Sequence, residues 1–313
     1  MKKVILTTQT PKGTRDFLPE EMVKRNFVVN KIKKAFEKYG FDPLETPAIE
    51  YLEVLTGKYG EDGEKLIYKF QDMGGRSIAL RYDLTVPLCR VVAANPQLPL
   101  PFKRYQLEKV WRYDKPGKGR YREFWQCDVD IVGSSKIISD AEIVSLIVEV
   151  LKGLKFNDFV VKINNRKLLN GLLQSFEIEK EKANAVLRAI DKIGKKSVEE
   201  IKEELSQAGL TFGTIEKLVE LMLEDLGTEQ ALDKIKPLAE KSEEGKEGFE
   251  EVKELFSYLK QAQNDAYCKF DLKLVRGLDY YTGSIFEAVV ESPQGGSIAG
   301  GGRYDDLIGL FTG

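Results

Sequence analysis

KRYQLEKVWRYDKPGKGRYREFWQCDVDIVG, residues Lys103 to Gly133, reads as two strands joined by a loop, with cations in the loop and carboxylates at the far end. Residues alternate in a strand-like way from Val110 to Arg112 and from Glu123 to Gln126, whereas Lys115-Pro116-Gly117-Lys118-Gly119 fits only a turn or loop. Lys103, Arg104, Lys109, Arg112, Lys115, Lys118, Arg120 and Arg122 stand against Glu108 and Asp114, a bias that attracts an anion. Loop glycines let backbone amides and arginine forks come close to a phosphate. Phe124 and Trp125 add flat apolar area that suits a purine ring. A solvated sheet edge or a non-specific nucleic-acid contact accounts for the same charges and stays open at this level.

Around this hairpin the chain of 313 residues, 42% hydrophobic, has room for two domains or one large one. Its 48 basic and 50 acidic residues leave a formal charge of -2, so any nucleic-acid contact must be local. Cys89, Cys127 and Cys268 are odd in number and lack a CxxC pair, which argues against a disulfide framework or a zinc site. No apolar run reaches the ~18 residues of a membrane span, and the N-terminus turns polar too early for a signal peptide. A cytoplasmic protein with reduced thiols and no membrane contact is expected. The sequence has no histidine, which excludes Ser-His-Asp, Cys-His and histidine-ligated metal chemistry, and no residue is assigned as a metal ligand.

Before the hairpin, helical spacing of Val23, Phe27, Val28, Ile32, Ala35 and Phe36 predicts a helix from Glu20 to Tyr39, ended by Gly40. Residues Phe41 to Leu55 read as an extended piece that begins with a turn and passes into a short helix, with Pro47 at a sheet edge or chain crossing. Gly57 to Gly63 reads as a mobile loop. Strands are expected at Leu66 to Phe70 and Ser77 to Leu80, around a turn at Asp72 to Gly75. A helix led by Pro87 follows, to about Ala94. Asp83 and Thr85, two apart on an extended segment, face the same way and can jointly hold an ammonium group; capping of the next helix is the competing local role.

After the hairpin, Ser139 to Leu154 reads as an amphipathic helix and Phe159 to Ile163 as a strand. From Arg166 to Gln263 the composition changes to Lys- and Glu-rich helices, with breaks at Gly194, Gly209, Gly213, Gly227 and Gly245, and the charge run from Glu240 reads as solvated surface. Strand signals return at Cys268 to Leu274, Val275 to Gly283, Ser284 to Glu291 and Ser297 to Gly302. Gly300-Gly301-Gly302 lacks the strand, GxGxxG and helix order of a nucleotide loop, and a close-packed strand explains it adequately. Tyr280 and Tyr281 suit a core, although an arginine followed by paired tyrosines is an unusual way to build one.

Taken together these blocks resemble the histidyl-tRNA synthetases in their archaeal and eukaryotic-like form, over nearly the whole chain and in order. PKGTRDFLPEE (Pro11 to Glu21) and the Pro47 segment resemble the family's N-terminal region and first class II motif, which implies a homodimer. The hairpin resembles class II motif 2. Residues Leu274 to Glu287, LVRGLDYYTGSIFE, resemble the histidine-specific signature, and Ala299 to Leu307 the second, glycine-rich one. The resemblance implies an α+β fold, an antiparallel sheet flanked by helices. With the Lys- and Glu-rich segment 166–263 assigned by its composition as a helical insertion, the catalytic core is expected in two halves, 1–165 and 264–313.

The resemblance further implies that Asp83, Thr85, Gln126 and Asp130 surround the ammonium and carboxylate of histidine, with Tyr281 and Tyr280 at the imidazole. Arg112 is implied to bridge the substrate carboxylate and the ATP α-phosphate, with Arg276 on the other side of that phosphate. Asp114, Arg120, Tyr121 and Phe124 are implied in the ATP site, Phe124 by stacking on adenine. ATP enters as substrate with Mg2+, and tRNA(His) accepts the product. The family's third class II motif, a Gly-x-Glu-Arg segment, is expected after the RYD block, whereas the sequence runs to Phe311-Thr312-Gly313. A catalytic region of a longer protein, or a shortened paralogue, is the expectation. A non-catalytic histidine sensor like the regulatory subunit of ATP phosphoribosyltransferase is the alternative function.

Overall fold

The computed structural model describes residues 7–56, 65–276, 280–290 and 296–312. The loop expected at Gly57 to Gly63 lies outside them, as do Gly277, Leu278 and Asp279 of the histidine signature. The fold is α+β. Contacts divide the chain into two compact units, residues 1–134 with 308–313, and residues 135–307. This boundary follows packing, whereas the expected three-part layout follows the character of successive segments.

In the first unit, α1 (Pro19–Lys38) starts on a proline with Glu20 and Glu21 in its first turn, where acids complement the helix dipole. It ends as expected at Gly40, which takes φ +75°. Of its apolar stripe only Ala35 and Phe36 are buried, while Val23 and Phe27 are 70% and 63% exposed. Next come β1 (Asp42–Pro43), β2 (Ile49–Tyr51), α2 (Leu52–Thr56), β3 (Lys69–Gln71), β4 (Ser77–Leu80) and α3 (Thr85–Ala94). The hairpin strands are β5 (Phe102–Trp111) and β6 (Glu123–Val132).

β1 runs parallel to β5, and β5 pairs antiparallel with β6, so Pro43, which has no N–H to donate, takes the edge position expected for Pro47. Pro47 lies in the link between β1 and β2. β4 is the centre of a second sheet, antiparallel to β2 and β3. β3 begins at Lys69 rather than Leu66, and the turn after it closes on Asp72 Oδ1, which accepts from Gly74 N and Arg76 N at 2.9 Å each. Leu55, Ile67, Ala79, Tyr82 and Val86 form the core beneath this sheet.

The second unit begins with α4 (Ile137–Gly153), two residues earlier than expected. Asp140 does not cap it: its carboxylate is buried and holds Arg303. β7 (Phe159–Asn165) follows, then the helices α5 (Arg166–Ser175), α6 (Lys180–Ile190), α7 (Val198–Gln207), α8 (Phe212–Leu223), α9 (Thr228–Ala239) and α10 (Glu243–Gln261). β8 (Cys268–Phe270), β9 (Ser284–Val290) and β10 (Gly296–Gly302) complete a sheet in the order β10-β9-β7-β8. β8 is shorter than expected because the chain turns at Asp271, whose carbonyl accepts from Leu274 N at 3.0 Å.

Gly194 and Gly209 take positive φ and separate helices, whereas Gly213 and Gly245 sit inside α8 and α10. Gly245 and Gly248 are buried where α10 crosses α5. Charged Glu240, Lys241, Glu243, Lys246 and Glu247 beside them face solvent, as expected for the charge run. A methyl group on Gly248 would meet Leu168 N at 2.3 Å. Gly248→Ala is therefore expected to lower the unfolding free energy by about 1–3 kcal/mol, the usual effect of overpacking. A urea midpoint equal to that of the parent would contradict the contact. The apolar face of α5 to α8 shares one core with Leu274, Val275 and Ile285, so these helices support the strands that flank the histidine signature.

Candidate active site

The predicted residues fall into two groups, Asp83 to Asp130 in the first unit and Arg276 to Tyr281 in the second. In the first, the β5–β6 register pairs Arg104 with Asp130, Gln106 with Asp128, Glu108 with Gln126, and Val110 with Phe124. Strand alternation puts all eight on one face. Arg104 is fully buried, with Nη2 2.7 Å from Asp130 Oδ2 and donating to Leu84 O at 3.1 Å, and Nη1 donating to Gln106 Oε1 at 3.3 Å. Gln106 Nε2 donates to Thr46 Oγ1 at 2.9 Å and to Glu108, and Arg81 Nη1 lies 2.7 Å from Glu108 Oε2. Gln126 Oε1 is buried and meets no donor.

Arg112 Nε donates to Tyr82 O at 2.9 Å, and its guanidinium carbon lies 5.2 Å from the Phe124 ring centre. Cation and aromatic are thus neighbours, and an adenine stacked on Phe124 would lie beside a fixed positive charge. Arg120 Nη1 lies 3.3 Å from Asp114 Oδ2, and Tyr121 carries the Arg15 guanidinium 3.6 Å from its ring centre. Asp83 is buried and its Oδ1 accepts from Val86 N at 3.1 Å, the capping role. The extended segment expected to align Asp83 with Thr85 is interrupted, because Leu84 is already helical and Thr85 opens α3.

The cationic character of the hairpin is mostly used internally. Lys103 donates to Tyr39 O, Lys109 pairs with Glu123 at 2.9 Å, and Arg122 donates to Asp114 O at 3.0 Å. Arg104, Arg112 and Arg120 are engaged as described. This leaves only Lys115 and Lys118, both exposed, without a side-chain partner among the described residues, which weakens the reading as a non-specific nucleic-acid edge.

In the second unit, Arg276 Nη1 lies 2.7 Å from Glu287 Oε1 on β9 and 3.5 Å from Ser297 Oγ. Its guanidinium rests on Gly300, where a Cβ would come within 2.4 Å of Cζ. The glycine cluster is thus a close-packed strand, and the space it leaves is filled by Arg276. Tyr280 and Tyr281 have ring centres 4.5 Å apart and share a hydroxyl contact of 3.3 Å. Tyr281 packs on the helical core, and Tyr304 meets Tyr280 edge-on at 6.3 Å. Arg303 Nη2 grips both Asp140 oxygens, at 3.1 and 3.0 Å, fixing the strand after the glycines. Burial pushes the Asp140 carboxyl upward, and the Arg303 charge opposes it.

Sequence reasoning missed Gln106, Asp128 and Glu287. Period-2 extension of β6 from Phe124 and Gln126 reaches Asp128, so its signal was present; Glu287 carries no local signal for its bond to Arg276. Among the described residues no group of three carboxylate or thiol side chains could hold a metal ion. No step below runs through a metal ion.

A solved structure of histidyl-tRNA synthetase from Nostoc sp. matches with a TM-score of 0.89 at 33% identity, over 98% of this chain and 71% of that one. A Bacillus halodurans structure titled an ATP phosphoribosyltransferase regulatory subunit/histidyl-tRNA synthetase matches with a TM-score of 0.85 at 26% identity, over 99% and 79%. Fold and hairpin face together define an aminoacyl-tRNA synthetase. The family model for histidyl-tRNA synthetase matches residues 13–313. Histidine-tRNA ligases of Aeropyrum pernix and Gloeobacter violaceus are 48% and 47% identical, over 97% and 95% of this chain and 69% and 68% of their own lengths. The chain belongs to the histidyl-tRNA synthetase family.

Proposed function

We propose that the chain activates histidine with ATP, giving histidyl-adenylate and pyrophosphate, and transfers the histidyl group to tRNA(His). The observation that carries this reading is the hairpin face, where the Arg112–Phe124 pair adjoins Gln126 Oε1, a buried acceptor without a donor. A cation and an aromatic ring suit a nucleotide, and an unsatisfied acceptor suits an ammonium group. Family membership supplies the substrates that fit both.

Asp83, Thr85, Gln126 and Asp130 are assigned to the ammonium and carboxylate surroundings of histidine, and Tyr280 and Tyr281 to its imidazole. Asp114, Arg120, Tyr121 and Phe124 are assigned to ATP, and Arg112 and Arg276 to the α-phosphate. One oxygen of the ionised substrate carboxylate attacks the α-phosphorus in line, and the bond to the bridging oxygen breaks with departure of pyrophosphate. No protein base is needed, which accommodates a histidine-free enzyme. Arginines neutralise the charge that develops.

The layout of a core at 1–165 and 264–313 with a helical insertion at 166–263 belongs to the same proposal, as do a homodimer and a cytoplasmic location. Exposed Val23 and Phe27, one turn apart on α1, support the homodimer, because apolar side chains aligned on one helix gain from being covered. Among the described residues no helix is long and apolar enough to cross a membrane. Histidine-dependent exchange of labelled pyrophosphate into ATP is expected of the purified chain. Histidine binding without exchange would favour the sensor, and neither response would refute both.

A further inference from the structure

Asp128 has no part in the assignments above, yet register places it opposite Gln106 and on the same face as Phe124, Gln126 and Asp130. It is half-buried and accepts no hydrogen bond among the described residues. The charged groups facing it come from every neighbouring element: Arg104 on β5, Asp130 on its own strand, Asp83 ahead of α3, and Arg112 beyond β5. Neither arginine donates to it, and among the described residues Arg104 Nε is itself buried without an acceptor. Arg104 serves Asp130, Leu84 O and Gln106, and Arg112 Nε serves Tyr82 O. Two acceptors side by side on this face, the Asp128 carboxylate and the buried Gln126 Oε1, thus meet no donor among the described residues. A ligand ammonium placed between them would supply donors to both.

We infer that Asp128 is a further substrate-binding group of the amino-acid pocket, which accepts a hydrogen bond from the α-ammonium of histidine and releases its own proton to solvent as it does so. This rests on the histidine-activating reading. Burial first, then the Asp130 and Asp83 charges, push the Asp128 carboxyl up to about 7 against the pull of Arg104 and Arg112, so near neutrality it holds a proton part of the time. A group protonated in the free protein and ionised in the complex makes histidine bind more tightly as pH rises through that value. Substrate imidazole titrates in the same range, so the informative quantity is the difference between two forms of the protein at one pH.

The test is calorimetric titration of the intact chain with histidine at about pH 7, in buffers of different ionisation enthalpy, beside Asp128→Asn and Asp128→Glu. The parent is expected to release more protons on binding than Asp128→Asn does. The KM for histidine in pyrophosphate exchange is expected to rise about tenfold in Asp128→Asn, with that for ATP unchanged, as for loss of one charge-assisted bond. Asp128→Glu restores a titrating group, and a proton release above that of Asp128→Asn supports the inference even if the Asn variant is poorly folded. Equal proton counts in the parent and both variants, or an unchanged histidine KM in Asp128→Asn, overturns it while leaving the histidine reading intact. A parent that binds no histidine overturns both.

Discussion

Arg104→Ala is expected to lower the unfolding free energy by about 3–5 kcal/mol, the range for removing one member of a buried ion pair. The side chain is fully buried, and its partner Asp130, with a side chain only 10% exposed, would be left without its cation beside Asp128. Leu84 O would lose a donor at the start of α3, next to Asp83. Loss of the arginine therefore removes one of the links between the hairpin and the segment that presents Asp83. Removing the partner as well separates the two contributions: Arg104→Ala/Asp130→Ala should be more stable than Arg104→Ala, because the uncompensated charge goes with it. Chemical denaturation of the parent and the two variants checks this. A single variant within about 1 kcal/mol of the parent would mean that Asp130 is solvated and that Arg104 does not organise the face.

Arg104 also marks the limit of what the sequence makes legible. Counted by composition it is one of eight basic residues inviting an anion, and composition does not distinguish a buried cation from an exposed one. Alternation located the centre of each hairpin strand and the loop between them, because those residues obey a local rule. It stopped short of the ends: β5 reaches back to Phe102 through buried Arg104, Tyr105 and Gln106, where the polar residues themselves face inward. Helix breaks were legible where a glycine adopts positive φ, at Gly194 and Gly209, and misread where a glycine is buried for close helix contact, as at Gly245. The start of α4 lies at Ile137, two residues ahead of the expected Ser139, and the role of Asp140 in its first turn is set by Arg303, far along the chain. Side chains whose role is set by a neighbour distant in sequence were the ones missed.

For Arg276 the local motif and the tertiary contacts converge on one expected result: Arg276→Ala should reduce histidine-dependent pyrophosphate exchange by about 10²–10³-fold, as for loss of a preorganised donor worth about 2.7–4 kcal/mol. The guanidinium is held at one nitrogen by Glu287 and supported underneath by Gly300, while the side chain stays 36% exposed. It is therefore a cation fixed in place before a ligand arrives, the condition under which a charge favours the transition state without reorganising. The variant should lower kcat with little change in the KM for histidine, because the charge it neutralises develops on phosphate during the displacement. Arg276→Lys should recover only part of the rate, since an ammonium cannot bond Glu287 and a phosphate oxygen through one planar fork. Glu287→Gln keeps the cation but loosens its anchor, and should lose less than Arg276→Ala does. Gly300→Ala displaces the guanidinium from beneath and should resemble Glu287→Gln, with impaired exchange at retained stability. An Arg276→Ala rate within about twofold of the parent would remove Arg276 from the phosphate and leave its pair with Glu287 as a purely structural link between β9 and the signature segment.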